Sequence, residues 1–453
     1  MLPDVALLKV FDFFLDDEDS RIEEWHTLVH VCRSWRDTVL GSPRRLNLRL
    51  RCGVSSRVRN MLGVWPLLPI KIAIRESEEM RAMDNVIAAL ELKDRICGFD
   101  LFYGTSSEFQ EVLAAMQQPF PALTDLRLWS RYGGRMPVVP ASFLGGSAPC
   151  LQELRLGHIR FPGLRTLLLS ATHLVSLTLW NIYIPHSGYI LPETMAAYLS
   201  VLPRLEKLDI SPHCGPNGQS PPPPTRTLLP VLTEFRFSGV CEYLEGFVAQ
   251  VDAPLLHKLD IIFSHQPIFD TPQLAQFISR TPNFNAQDEA RLEFFDAEVR
   301  VRLLQKPNEG PRLILGVSCN QSDRRLSFLA QVCSSAFPQA LILMVERLYI
   351  VDIQFCGWQD KMENIRWLEL LQTFTSVKDL YISRAFSRRV APALKELIGE
   401  RVTDVLPALQ TLFLEGTHPT GHVQEIIGKF VAKRRLAGHP VAISRWECKR
   451  FER

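Results

Sequence analysis

Two histidine pairs, His26 with His30 and His418 with His422, stand four residues apart. At that spacing one helical face could offer two imidazoles to a metal ion. Neither pair has an obvious third ligand, so solvated or hydrogen-bonded histidines are the simpler account. An imidazole and a thiol adjoin at His213-Cys214, inside a proline-rich stretch. The ten cysteines are scattered without a C-x-x-C pair, and several, such as Cys32, Cys97 and Cys241, sit among apolar neighbours. That usage reads as reduced, mostly structural thiols in a cytosolic or nuclear protein. The chain has no G-x-x-x-x-G-K phosphate loop, no H-E-x-x-H zinc motif and no G-x-S-x-G nucleophile elbow. No catalytic residue, metal or cofactor is expected, and the chain reads as a non-enzyme.

The positioning elements begin with two helical stretches, LPDVALLKVFDFFLDD and EEWHTLVHVCRSWRDTVLGSP. On the first, Val5, Leu8, Phe11 and Leu15 repeat at helical spacing while Leu7, Val10 and Phe14 spread apolar area round the other side. On the second, Trp25, Leu28, Cys32, Trp35 and Val39 form a stripe at spacings of three and four. Pro3 fits the first turn of a helix and Pro43 a stop after the second. A unit of this size cannot build a sufficient core alone. Some of its apolar surface must meet the rest of the chain or another protein.

The order Leu2-Pro3, Leu7-Leu8, Val10-Phe11, then Leu28, Val31-Cys32-Arg33 and Trp35-Arg36 resembles an F-box, especially that of the F-box proteins abundant in basidiomycete fungi. The likeness covers roughly a tenth of the chain. It implies a small all-α unit that docks on the Skp-type adaptor of an SCF-type (Skp–cullin–F-box) ubiquitin ligase. By the same resemblance Leu2, Pro3, Leu7, Leu8, Phe11, Leu28, Val31, Cys32 and Trp35 are the adaptor-binding candidates, divided between the adaptor and the unit's own small core.

At 453 residues, with 46% hydrophobic and 22% charged residues, the chain has the composition of an ordinary folded protein. A formal net charge of +2 gives no concentrated basic field for nucleic acid or a membrane surface. No apolar run approaches the ~18 to 20 residues that cross a bilayer. Asp4, Lys9 and the acidic run after them do not fit a secretory signal.

After the head one pattern recurs: Pro, any residue, an apolar residue, another three further on and another two beyond. It appears as PALTDLRL from Pro121, PCLQELRL from Pro149, PRLEKLDI from Pro203, PVLTEFRF from Pro230, PLLHKLDI from Pro254 and PALQTLFL from Pro407. Chance would supply the proline-headed form about once in such a chain, so these copies mean something. Copies without proline begin at Leu67, Ile96, Leu174, Val345 and Val377. A further match at Pro162, with Leu164, Leu167 and Leu169, reads as helix because a strand pattern begins too soon after it.

The copies start about 23 to 32 residues apart, the period of leucine-rich repeats with their L-x-x-L-x-L core. The last two apolar residues of a copy are two apart and point to one face of a short strand. Helical stretches such as SEFQEVLAAM, PETMAAYLSVL, LEGFVAQV and TPQLAQFIS lie between strands. The expected architecture is α/β: a leucine-rich-repeat solenoid with parallel strands inside and helices outside, preceded by the all-α head. A doubly wound α/β domain is the competitor, but no Gly-rich phosphate turn follows any strand.

Leucine-rich repeats usually carry Asn or Cys three residues after the last apolar position. Here that position holds Arg131, Ile159, Ile182, His213, Val240, Ser264 and Thr417, so the asparagine ladder is missing. From about residue 265 to 340 clean copies disappear, although AEVRVRL and PRLILGV suggest persisting strands. VQEIIGKFVAKRR and HPVAISRW read as a closing helix and strand. SPHCGPNGQSPPPPTRT (211–227) and GGRMPVVPASFLGGS read as inserted loops, the first extended by its prolines. The basic clusters at 44–51 and 432–436 could serve nuclear import or an acidic partner, with a solvated face as the plainer account.

The expected divisions are 1–50 for the F-box-like head, 51–444 for the irregular repeat region and 445–453 for a tail. The reading is a substrate-recognition subunit of a ubiquitin ligase, cytoplasmic or nuclear, with a Skp-type adaptor and an unknown target protein as partners. The alternative is a non-catalytic repeat scaffold whose head is only an N-terminal cap.

Overall fold

The computed structural model describes residues 3–15, 28, 30–41, 48–52, 58–64, 69–74, 83–131, 136–184, 188–212, 225–264, 269–305, 310–318, 325–353, 364–397, 399–416 and 421–447. His26, His213, Cys214 and His418, with most of the proline-rich stretch, lie outside them. Two compact units divide the chain, residues 1–215 and 216–453.

In the first unit the head consists of helix Asp4–Leu15 and helix Arg33–Gly41. The second stretch is not one continuous helix as its stripe suggests. Leu28, His30 and Val31 are helical, but Cys32 breaks the run. It stands as an N-cap, where the Cys32 thiol accepts the Trp35 amide at 3.4 Å. Cys32 is therefore exposed and not part of a buried stripe.

Seven parallel strands follow in chain order: β1 (Leu48–Arg51), β2 (Ile70–Ile74), β3 (Ile96–Gly104), β4 (Asp125–Ser130), β5 (Glu153–Gly157), β6 (Ser176–Trp180) and β7 (Lys207–Ser211). Each pairs with the next. A doubly wound sheet would reverse its order at a switch point; this one does not. Helices such as Ser106–Ala115 and Leu164–Ser170 lie in the connections. The first starts at a capping box, with Glu108 N–H donating to Thr105 Oγ1 at 3.4 Å and Thr105 N–H to Glu108 Oε2 at 2.6 Å. The second is the Pro162 match read as helix.

The apolar triplets land as their spacing requires. Leu126 and Leu128, Leu154 and Leu156, and Leu208 and Ile210 point inward from their strands, and Leu123, Leu151 and Leu205 fill the turns before them; all are buried. The inward residues of unit 2 follow the same rule, including Leu259 with Ile261 and Leu412 with Leu414.

Unit 2 holds β8 (Thr227–Leu228), β9 (Glu234–Gly239), β10 (Val251–Asp252), β11 (Lys258–Ser264), β12 (Glu289–Phe294), β13 (Glu298–Leu304), β14 (Arg312–Ser318), β15 (Arg347–Asp352), β16 (Asp379–Ile382), β17 (Thr411–Glu415) and β18 (Ala442–Trp446). Strands β8 and β10 pair by themselves, and the others lie in the order β9-β11-β14-β13-β12-β15-β16-β17-β18. This corrects the all-parallel expectation. Strand β13 runs antiparallel to both β12 and β14. The eroded stretch is a meander, and β14 rather than β12 lies beside β11.

The basic run near the C-terminus also departs from a solvated face. Arg434, in helix Gly421–Leu436, is fully buried. Its guanidinium donates to the carbonyls of Val402, Leu406, Pro407 and Leu409 at 3.1 to 3.4 Å. One planar fork thus gathers four carbonyls of a single turn, one of which, Leu406 O, also accepts the Leu409 amide at 3.1 Å. The last strand ends at Trp446, inside the segment expected as a tail.

Because the inward leucines touch packed neighbours on all sides, Leu154→Ala should lower the unfolding free energy by about 3 kcal/mol. Leu169→Ala, on a helix of the same unit but half exposed, should change it by less than about 0.5 kcal/mol. Urea melts of the full chain compare the two.

Candidate binding surfaces

Alternation along each strand puts one face of each sheet against the helices and leaves the other open. In unit 1 the strand register sets outward residues side by side. Asp100, Arg127, Arg155, Thr178 and Asp209 form one row, and Phe102, Trp129, Gly157, Trp180 and Ser211 the next. The charged row is knitted by ion pairs: Arg127 to Glu153 at 3.0 Å, Arg155 to Glu153 at 2.5 Å and Arg127 to Asp100 at 4.0 Å. These are part-exposed contacts, each worth under about 1 kcal/mol.

The aromatic row depends on a missing side chain. A Cβ on Gly157 would stand 2.5 to 2.7 Å from Cδ2, Cε2 and Cε3 of Trp129. The indole therefore lies face-down on the glycine, with its other face turned away from the sheet. Trp180 stands 5.3 Å from Trp129 between ring centroids, Phe102 5.6 Å and His158 5.9 Å. Trp180 Nε1 donates to Asp209 at 2.8 Å, which fixes the second indole. His158 is half-buried, and burial pushes its pKa below the usual imidazole value. Flat aromatic area with polar edges is the composition of protein-binding hot spots.

In unit 2 the outward row is Arg302, Arg291, Tyr349, Tyr381, Phe413 and Ser444, read across β13, β12, β15, β16, β17 and β18. Tyr349 and Tyr381 stack at 4.2 Å with an 8° interplanar angle, and Tyr381 and Phe413 at 4.2 Å with 6°. The Arg291 guanidinium lies 5.5 Å over Tyr349. Trp446 crosses back over β17, its Nε1 donating to Ile382 O at 3.3 Å, and meets Tyr349 and Tyr381 edge-on.

Beside that stack the meander carries a buried ionic cluster. Arg291 pairs with Glu289 at 2.6 Å, Arg302 with Glu293 at 3.1 Å and Arg347 with Glu289 at 3.6 Å. Glu289 and Glu293 are almost fully buried. Burial pushes the Glu293 carboxyl above the ordinary carboxylate range, against the pull of Arg302, Arg300 and Arg291.

The head residues divide. Leu7, Phe11 and Leu28 form a small core with Val39, and Leu8 and Trp35 pack against it; Phe11 and Trp35 meet edge-to-face at 4.9 Å. Pro3, Val31 and Cys32 are exposed, as is Val10. Leu2 lies outside the described residues. Cys97 and Cys241 are buried as expected, and burial pushes their thiols up to about 11 and about 12. The described cysteines are free thiols. Among the described residues no three His, Cys, Asp or Glu side chains group to hold a metal ion, and no helix is long and apolar enough to cross a membrane.

Sequence reading missed both aromatic rows. Their signal was present: Phe102, Trp129 and Trp180 each follow directly on an inward residue at the end of a copy, and Tyr349, Tyr381 and Phe413 stand between two inward ones. Aromatic residues at positions that alternation turns outward call for a reason.

Strand-and-connection coils, paired in chain order except at the meander, make this a mixed α/β repeat protein with a mostly parallel sheet in each unit. No family model matches the chain, and no curated protein matches it. Among solved structures it is similar to the leucine-rich repeat-containing protein LegL7 from Legionella pneumophila, at 13% identity and a TM-score of 0.29, over 87% of this chain and 98% of that one.

Two outcomes follow from these surfaces. Gly157→Ala should displace the Trp129 indole, shown by a shift in tryptophan fluorescence, and destabilise the fold by about 1 to 3 kcal/mol. Glu293 holds its proton more tightly folded than unfolded, so its contribution to stability is present at low pH and is lost as pH rises through the raised value. The melting temperature of Glu293→Gln relative to the parent should therefore increase from pH 4 to pH 8 in thermal melts.

Proposed function

We propose that this chain is the substrate-recognition subunit of an SCF-type ubiquitin ligase. Its helical head docks on a Skp-type adaptor, and its repeat region holds a target protein through the open sheet faces. The resemblance to basidiomycete F-box proteins in LP, LLKVF and VCRSWR supplies the ubiquitin part. The observation that carries the reading is the separateness of the head's core. Leu7, Phe11, Leu28 and Val39 cluster with Leu8 and Trp35 and, among the described residues, with none from the repeats. A helical pair that only capped the array would share its core with the first coil. Among the described residues the cluster takes in no repeat residue, and Pro3, Val10 and Val31 keep apolar surface in solvent.

On this reading the chain makes and breaks no bonds and needs no cofactor. It raises the effective concentration of target lysines near a conjugating enzyme carried elsewhere in the complex. Its setting is the cytoplasm or nucleus.

Co-expression with a Skp-type adaptor tests this. The parent should co-purify, and Val10→Glu with Val31→Glu should lose the adaptor at least tenfold while the melting curve stays put, because both side chains are about half exposed. Leu7 is unsuited to this purpose, since a charge there would unfold the head. Failure of the parent to bind, or retention by the double variant, sinks the proposal.

A further inference from the structure

We infer that the Tyr349–Tyr381–Phe413 stack of unit 2 is a docking platform for an arginine-bearing, basic segment of a partner protein. The inference rests on reading the repeat region as a protein-binding surface and adds the chemistry of what is bound.

Charge on this half of the sheet selects the occupant. The cations next to the stack are already matched in three cases: Arg347 to Asp288 at 2.5 Å and to Glu289 at 3.6 Å, Arg291 to Glu289 at 2.6 Å, and Lys378 to Glu346 at 2.5 Å. Two carboxylates are left over. Asp379 stands two residues before Tyr381 on the same outward face, in register with Arg347, whose guanidinium is taken by Asp288 and Glu289; among the described residues no ion pair holds Asp379. Glu415 stands two residues after Phe413 on that face and accepts the Arg384 amide at 2.8 Å; among the described residues it forms no ion pair. The stacked rings thus lie between two carboxylates that, among the described residues, form no ion pair.

The molecule itself shows what such a stack takes. At its inner end the Arg291 guanidinium sits 5.5 Å over Tyr349, a cation held by a ring face. At its outer end Phe413 is in register with Ser444 of β18, and Ala442 and Ser444 are too small to cover a ring. Phe413 is part-exposed, and its ring face toward Ser444 is the place left for a second planar cation, with Trp446 lying beside the stack at the Glu415 end. A guanidinium fits better than an ammonium, because it stacks flat and can also donate to a carboxylate through its fork. An acidic or purely apolar segment would meet uncompensated Asp379 and Glu415.

The test uses the full chain and a fluorescein-labelled nonapeptide with three arginines, beside versions carrying glutamine or glutamate at those positions. Fluorescence anisotropy should show binding of the arginine peptide, weakened by salt, and at least tenfold weaker binding of both others. Phe413→Ala should weaken the arginine peptide roughly tenfold and Asp379→Asn several-fold, with unchanged melting curves. Phe413→Leu keeps apolar bulk without a π face and should behave like Phe413→Ala; Phe413→Tyr should bind as the parent does. No binding of the arginine peptide at millimolar concentration, equal binding of the glutamate peptide, or full affinity in Phe413→Leu and Asp379→Asn overturns the inference. Val10→Glu with Val31→Glu should leave peptide affinity unchanged. Peptide binding without adaptor binding would remove the ligase reading alone, and adaptor binding without peptide binding would remove this one alone.

Discussion

A coil of this chain places two apolar side chains inside a short strand and one in the turn before it, and those three cannot be covered by their own coil. Leu126 is buried only because β3 and β5 flank β4, and Leu259 only because β9 and β14 flank β11. Each buried leucine contributes about 2 kcal/mol, but that is realised in neighbours and not in isolation. What fixes the spacing is a chain of backbone bonds at the strand entrances. Thr124 N–H reaches Cys97 O at 2.8 Å, Gln152 N–H reaches Thr124 O at 2.8 Å, and Val175 N–H reaches Gln152 O at 2.8 Å. In unit 2 Lys378 N–H reaches Glu346 O, Gln410 N–H reaches Lys378 O, and Ala442 N–H reaches Gln410 O, each at 2.8 Å.

A second set of backbone bonds, where the chain leaves the strands, accounts for the missing asparagines: His158 N–H reaches Trp180 O at 2.9 Å, Asn181 N–H reaches Ser211 O at 2.7 Å and Tyr183 N–H reaches Ile159 O at 3.1 Å. A side-chain amide is one way to satisfy backbone groups between coils; direct amide-to-carbonyl bonding is another. With it in place, the position usually held by Asn is free to be apolar, and Ile159 and Ile182 are buried there. On the far side of the coils, isolated bridges join Val138 to Arg160 and Arg160 to Tyr183, so the turns leaving the strands are held by backbone as well.

Much of the repeat architecture was legible because L-x-x-L-x-L encodes burial directly. The meander was not. A pattern such as EVRVRLL alternates identically whichever way the strand runs, and direction is set by partners far away in sequence. Nor could the head be sorted, because helical spacing reveals a face but not what covers it. Leu28 and Cys32 stand on the same stripe in the sequence, yet one is sealed and the other exposed. Arg434 was legible only from the whole helix: it follows Val423, Ile427 and Phe430 at helical spacing onto the buried face, whereas AKRRL read as a charge run hides that register.

The meander also gives unit 2 an order in time. After β11 the chain lays down β12 at a place three strands away, and only then returns through β13 and β14 to fill the gap. As a nascent polypeptide emerges from its N-terminal end, β2 to β7 can each dock on a strand already present. Strand β12 has no such neighbour when it appears, and β11 must wait with one edge bare until residue 318 has been synthesised. That pause exposes the strand edge most open to wrong partners during biosynthesis.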